Sequence, residues 1–289
     1  MTEKNPAAPH PAGGAPQPRR GGFPTPGDLA LMLAIVLGMQ LAAGLLLSGA
    51  AHLAGIDLAA PAPREQGIIL AATYLCSMLP AWLLTLRYRR LRGDRGSIGR
   101  FGTKGLRLRP LLGALVVMIA AGILCEPLFE LLPAPPSAAY GRGFWSVVSL
   151  VVAAPLLEEL ICRGTVLESL RTRYGAFTAW WGSALFFGVL HLHPALALNA
   201  AAIGLVLGYV YLKSGTLWMP VLLHAANNAA AYLLLATGHE ETTLRGLTGG
   251  TLPYALIYTA ALLVTAAAAR RAVRTLRRPD GAEEKRPAA

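Results

Sequence analysis

Three polar fragments interrupt an otherwise apolar sequence: Glu158-Glu159 with Arg163, Phe187 with His191, and His224 with Asn228. Each lies in a stretch long enough to cross a bilayer as a helix. A charged side chain at the centre of such a span costs about 2.5–3.5 kcal/mol on insertion scales, so a chain that keeps two carboxylates, a guanidinium and two imidazoles there is using them. A carboxylate with imidazoles suits the activation of water, directly as a general base or through a metal. Asn228 follows His224 by four positions and shares its helical face. An amide donates to a developing oxyanion, which a carboxylate does not, so this pair suits stabilisation of a tetrahedral intermediate. Nucleophilic-serine chemistry is less attractive, because no Gly-x-Ser-x-Gly or serine-lysine arrangement lies near these residues.

The spacing gives the groups separate tasks. Glu159 and Arg163 are four apart, acid first, so one helical face pairs them and both charges survive at depth. Glu158 is rotated from Glu159 by about 100° and has no basic partner on its own helix, which leaves it to meet another helix. Glu158 and His191 are equidistant from Tyr174-Gly175, so an antiparallel hairpin turning there sets them at one level. His224 lies nine residues past Gly215, about 13 Å deep at 1.5 Å per residue. Glu158, His191 and His224 are also the candidate ligands of a divalent metal such as zinc, for which they form a minimal set. Glu126 and Glu130, flanking Pro127, read as water-facing or kink residues, with substrate contact as the alternative. His193, next to Pro194, reads as a helix-end residue.

These fragments require membrane helices to position them. The chain has 289 residues, 54% of them hydrophobic and 14% charged, which excludes an ordinary soluble domain. The formal charge of +11 does not indicate nucleic acid, because the basic residues cluster between apolar spans and are not mixed with stacking aromatics. At roughly 20 residues per span, eight spans are predicted, at 29–50, 67–86, 111–133, 145–167, 176–193, 195–213, 217–236 and 253–272. The fold expected is therefore an all-α bundle of about eight transmembrane helices around a buried polar cavity. Residues 1–28 read as a disordered cytosolic tail, 29–272 as the membrane domain, with all three polar fragments inside 145–236, and 273–289 as a basic cytosolic tail. Lys and Arg in alternate connections number 22 on one side and 3 on the other, so both termini are expected in the cytoplasm. The basic loop 87–110 reads as a headgroup-facing topology anchor. Gly204 and Gly208 form a small-xxx-small pair for close helix contact, and the scattered Cys76, Cys125 and Cys162 argue against a disulfide framework.

With these residues in view, the chain resembles the CPBP family of intramembrane proteases, also called the CAAX-protease and bacteriocin-processing or Abi family. The family pattern E-E-x-x-x-R, F-x-x-x-H and H-x-x-x-N stands here as Glu158 to Arg163, Phe187 to His191 and His224 to Asn228. Over 145–236 the resemblance implies a metalloprotease-type endopeptidase that acts on a peptide or lipidated protein at the bilayer. It implies that Glu158 and His191 activate water and that His224 with Asn228 holds the oxyanion. Glu159, Arg163 and Phe187 would brace the helix. Cys162 departs from the family, where an aromatic is frequent. The composition, with 22 Arg against 4 Lys, suggests a GC-rich bacterium, hence a bacterial plasma membrane. Two other readings use the same residues: a non-catalytic membrane immunity or scaffold protein, and, ranked lower, a proton-coupled transporter.

Overall fold

A computed structural model of the chain describes residues 22–57, 62–133, 141–239 and 242–277. Among these residues every regular element is helical. α1 (Pro26–Leu53) is opened by Thr25, whose hydroxyl accepts the Asp28 N–H at 3.1 Å while the Asp28 carboxylate accepts the Thr25 N–H at 2.7 Å. This reciprocal cap, with proline at the first helical position, starts the helix three residues ahead of the expected 29. Phe23 is buried in the core and the Tyr174 hydroxyl donates to the Pro24 carbonyl at 2.8 Å. The end of the expected tail is thus seated on the bundle, because one aromatic and one cap outweigh a composition averaged over many small residues. Residues 1–21 of that tail lie outside the described residues.

α2 (Pro63–Leu91) packs on α1, and α3 (Leu108–Phe129) follows. The next helical run, Phe144–Val189, is 46 residues long. It comprises α4 (Phe144–Val147), a π-helical segment (Val148–Ala153), α5 (Ala154–Ile161), a second π-helical segment (Cys162–Leu167) and α6 (Glu168–Val189). Pro155 has no N–H to offer the carbonyl one turn back. The turns ahead of it widen, with the Ala154 N–H reaching Ser149 five residues earlier. Inside the run Gly175 has φ 81° and ψ 171°, a conformation suited to a residue without Cβ, and the chain folds back on itself. A Cβ on Gly182 would stand 2.8 Å from Leu170 Cδ1, and the Arg163 guanidinium lies 4.8 Å from the Phe187 ring centre. Both pairs are nearly symmetric about Gly175, as the hairpin requires.

α7 (Pro194–Ser214), α8 (Trp218–Ala236), the short α9 (Leu244–Thr248) and α10 (Thr251–Leu276) complete the order. Among the described residues seven helical stretches are long and apolar enough to cross a membrane, one of them the bent Phe144–Val189 run. Counting its two legs separately gives the eight expected spans, and the protein is an all-α membrane protein. α6 packs on α7, α5 on α2 and α8, and α3 on α7 and α10. α10 continues four residues beyond its expected end, and 278–289 lie outside the described residues. The three cysteines are free.

The basic loop after α2 does more than face headgroups. Arg89 is 2% exposed, bonds Asp94 at 2.6 Å and donates to the Ser97 carbonyl at 3.0 Å. The Gly99 N–H donates to the Gly164 carbonyl at 2.9 Å, and the Leu217 N–H to the Arg100 carbonyl at 2.9 Å. The loop is therefore a strap across the ends of the hairpin that turns at Gly175 and of α8. Burial raises the Asp94 carboxyl, but the Arg89 guanidinium, the Gly96 N–H and the Ser169 hydroxyl outweigh it and hold the group below its ordinary value of 3.8.

Candidate active site

α5 carries the two carboxylates and the following π turn carries Arg163. Glu159 and Arg163 are fully buried and 2.7 Å apart, the pairing that their spacing predicts. The other guanidinium nitrogen donates to the Gly204 carbonyl at 2.9 Å. α7 comes this close because Gly204 lacks a side chain: a Cβ there would meet the Ala184 Cα at 3.1 Å and Phe187 at 3.3 Å. Gly208 would meet Trp180 at 3.3 Å, so the small-residue pair marks the α6–α7 contact as expected. Its carbonyl's part in holding Arg163 is invisible in residue types.

Glu158 points to a different set of neighbours. The Tyr74 hydroxyl of α2 donates to its Oε1, and His224 Nε2 lies 3.7 Å from its Oε2. His224 Nδ1 is 3.1 Å from Glu159 Oε1, so this ring stands between the two carboxylates. With Nδ1–H given to Glu159, the ring presents Nε2 to Glu158.

Phe187 joins the two histidines. Its ring makes edge contacts with His191 at 4.9 Å and His224 at 5.4 Å, on top of its contact with Arg163. His191 Nδ1 is 2.9 Å from the Phe187 carbonyl, which leaves Nε2 as its outward nitrogen. The hairpin thus brings His191 into the cluster through Phe187, while the imidazole that faces Glu158 is that of His224. Asn228, one turn beyond His224, donates to the Leu150 carbonyl at 2.9 Å and accepts from Asn227 at 3.3 Å. Leu150 belongs to the first π segment.

The three fragments therefore converge with Tyr74 on one partly enclosed site. Tyr74 and the carbonyls of Gly204 and Leu150 escape a reading of spacing. A tyrosine in an apolar span carries no local mark, and backbone acceptors carry none at all. Among the described residues no group of three His, Cys, Asp or Glu side chains is gathered closely enough to hold a metal ion. Tyr74 engages Glu158 Oε1 and a backbone carbonyl engages His191 Nδ1, which leaves Glu158 Oε2 and His191 Nε2 as the outward atoms. Glu126 lies away from this cluster and accepts the N–H of Leu244 at the start of α9, so it ties a connection at the far end of α3.

Comparison with known proteins finds matches over part of the chain. A protein of Bacillus subtilis (strain 168) named "Putative membrane peptidase YdiL" is 27% identical over 88 residues, which is 30% of this chain and 36% of that protein. An "Uncharacterized 24.3 kDa protein" of Escherichia coli is 34% identical over 85 residues, 27% of this chain and 39% of its own length. The chain thus matches little more than a third of the length of these curated relatives. No solved structure matches it. Residues 140–230 match the family described as Type II CAAX prenyl endopeptidase Rce1-like, and the resemblance drawn from the three polar fragments holds over this segment, which contains them all.

Proposed function

We propose that the protein is an intramembrane endopeptidase that hydrolyses a peptide bond of a membrane-associated or lipid-anchored substrate. The observation that carries this reading is Glu158, a carboxylate with 13% of its side chain exposed, met by the Tyr74 hydroxyl at Oε1 and with the His224 imidazole 3.7 Å from Oε2, on helices that cross a membrane. A base that must take a proton from water needs this combination of access and enclosure.

In this mechanism a water molecule enters beside Glu158 Oε2 and gives it a proton as its oxygen bonds to the substrate carbonyl carbon. His191 Nε2 holds the same water. The carbonyl oxygen becomes an oxyanion, met by the Asn228 amide and by an N–H of His224. Collapse of the intermediate breaks the C–N bond, and the proton on Glu158 passes to the leaving nitrogen. Glu159 orients His224 through Nδ1, and Arg163 and Phe187 hold Glu159 and the rings in place. The 22-to-3 distribution of basic residues supports both termini in the cytoplasm, with the strap on the same side of what we take to be a bacterial plasma membrane.

The test is cleavage by the full chain in proteoliposomes, using quenched peptides with a farnesyl, an acyl or no anchor and mass spectrometry of the products. At least one anchored peptide is cut, and Glu158→Gln or His191→Ala lowers the rate by about 10²–10⁴-fold while the melting temperature is kept. If the wild type cuts no peptide, or Glu158→Gln cuts at the wild-type rate, the reading fails. A scaffold or immunity protein would cut none of the peptides, and a transporter would instead move protons with its solute.

A further inference from the structure

Tyr74 belongs to α2, outside the segment that matches the peptidase family, and is 84 positions from the carboxylate that it meets. Glu158 has a flexible side chain, and in a partly open site nothing in α5 alone fixes which oxygen faces the reacting water. The structure supplies that choice from another helix. Tyr74 packs on the core cluster containing Met78, Leu157, Ile161 and Cys162, and its ring has only two side-chain torsions to set. Its hydroxyl engages Oε1, while Oε2 is the oxygen that faces His224 at 3.7 Å. The two carboxylate oxygens are thereby made unequal.

We propose that Tyr74 is a positioning residue for Glu158, whose hydroxyl holds Oε1 so that Oε2 alone serves as the base. The inference rests on the reading that Glu158 activates water. It makes α2 a part of the active site, although neighbouring residues of that helix, such as Leu75 and Leu79, point outward from the bundle and are exposed. A hydroxyl that only packed the core would contribute to stability and leave turnover unchanged. A hydroxyl that orients the base acts on the chemical step and leaves substrate affinity unchanged.

The experiment uses the full chain in proteoliposomes and the anchored peptide cut by the wild type. Tyr74→Phe keeps the ring and removes the donor, and Trp82→Phe on the same helix serves as the packing control. Tyr74→Phe is expected to lower kcat by about 10–100-fold, the scale of a misplaced reacting group, with KM within twofold. Trp82→Phe retains wild-type kcat. Should Tyr74→Phe lose thermal stability, incorporation of 3-fluorotyrosine at position 74, which keeps the hydroxyl, restores kcat if the inference holds. Wild-type kcat in Tyr74→Phe overturns it, as does a change confined to KM. The two ideas separate cleanly. Loss of activity in Glu158→Gln with normal kcat in Tyr74→Phe sinks this inference alone, while wild-type activity in Glu158→Gln sinks the catalytic reading beneath it.

Discussion

Arg163→Met tests the buried charge network most directly. Methionine keeps an unbranched stem over the Phe187 ring but removes the 2.7 Å ion pair to Glu159 and the 2.9 Å donation to Gly204. Glu159, fully buried, is left with His224 alone. Breaking one side of a buried pair costs about 3–5 kcal/mol, because the remaining charge is desolvated without compensation. That corresponds to a fall in melting temperature of roughly 6–20 °C, at about 2–4 °C per kcal/mol for a chain of this order of size. Glu159→Gln leaves Arg163 as the unpaired charge and is expected to cost a similar amount. The double variant has no buried net charge, so it melts above the sum of the two single losses and above Arg163→Met itself. The assay is thermal unfolding in detergent micelles for all four proteins. Additive losses across this cycle, or a loss below about 1 kcal/mol for Arg163→Met, would contradict the assignment of the pair as a coupled brace.

Other expectations follow from single contacts. Gly99→Ala sets a Cβ 2.7 Å from the Gly164 Cα and 2.9 Å from the Tyr211 hydroxyl. The strap must shift, so proteolysis of the 94–102 loop speeds up and the melting temperature falls by an amount equivalent to about 1–3 kcal/mol. Gly204→Val crowds Ala184 and Phe187 in the α6–α7 contact and lowers both stability and cleavage in the proteoliposome assay. The Asp94 carboxyl is held below its ordinary value, so its contribution is full above the ordinary carboxylate range. It is lost as pH falls through the lower folded-state value. Wild-type unfolding midpoints therefore drop more steeply below about pH 4 than those of Asp94→Asn, whose profile loses this component. Parallel profiles in the two proteins would remove Asp94 from the account.

What was legible in the sequence was local or symmetric. Glu159 and Arg163 declared themselves by a four-residue spacing that survived the π turn starting at Cys162. The hairpin about Gly175 set the level of His191 against Glu158, but its side chain meets Phe187, and the imidazole at Glu158 is that of His224. His224 was brought to the right depth by counting from Gly215. Its orientation between two carboxylates depends on the crossing of α5 and α8, which residue counting does not contain. Tyr74 was invisible for the same reason, since only the packing of α2 on α5 gives its hydroxyl a partner. The strap was misjudged because nine basic residues in 87–110 look uniformly solvated. One of them, Arg89, is instead buried around Asp94.

The two widened turns on either side of α5 give this region an uneven sensitivity to length. Each π segment accommodates an extra residue without lengthening the helix by a full α-helical step. Removing one residue from 148–153 would close the widened turn to an ordinary one and nearly keep the flanking faces, whereas removing one from 154–157 in regular α5 would rotate the chain on one side of the deletion by about 100° relative to the other. Every letter of the Glu158 to Arg163 motif would remain, yet Leu150 and Glu158 could not meet Asn228 and Tyr74 together. A gap in 154–157 in an alignment of related chains is thus as informative as a lost carboxylate, because the register between Leu150 and Glu158 is itself part of the specification.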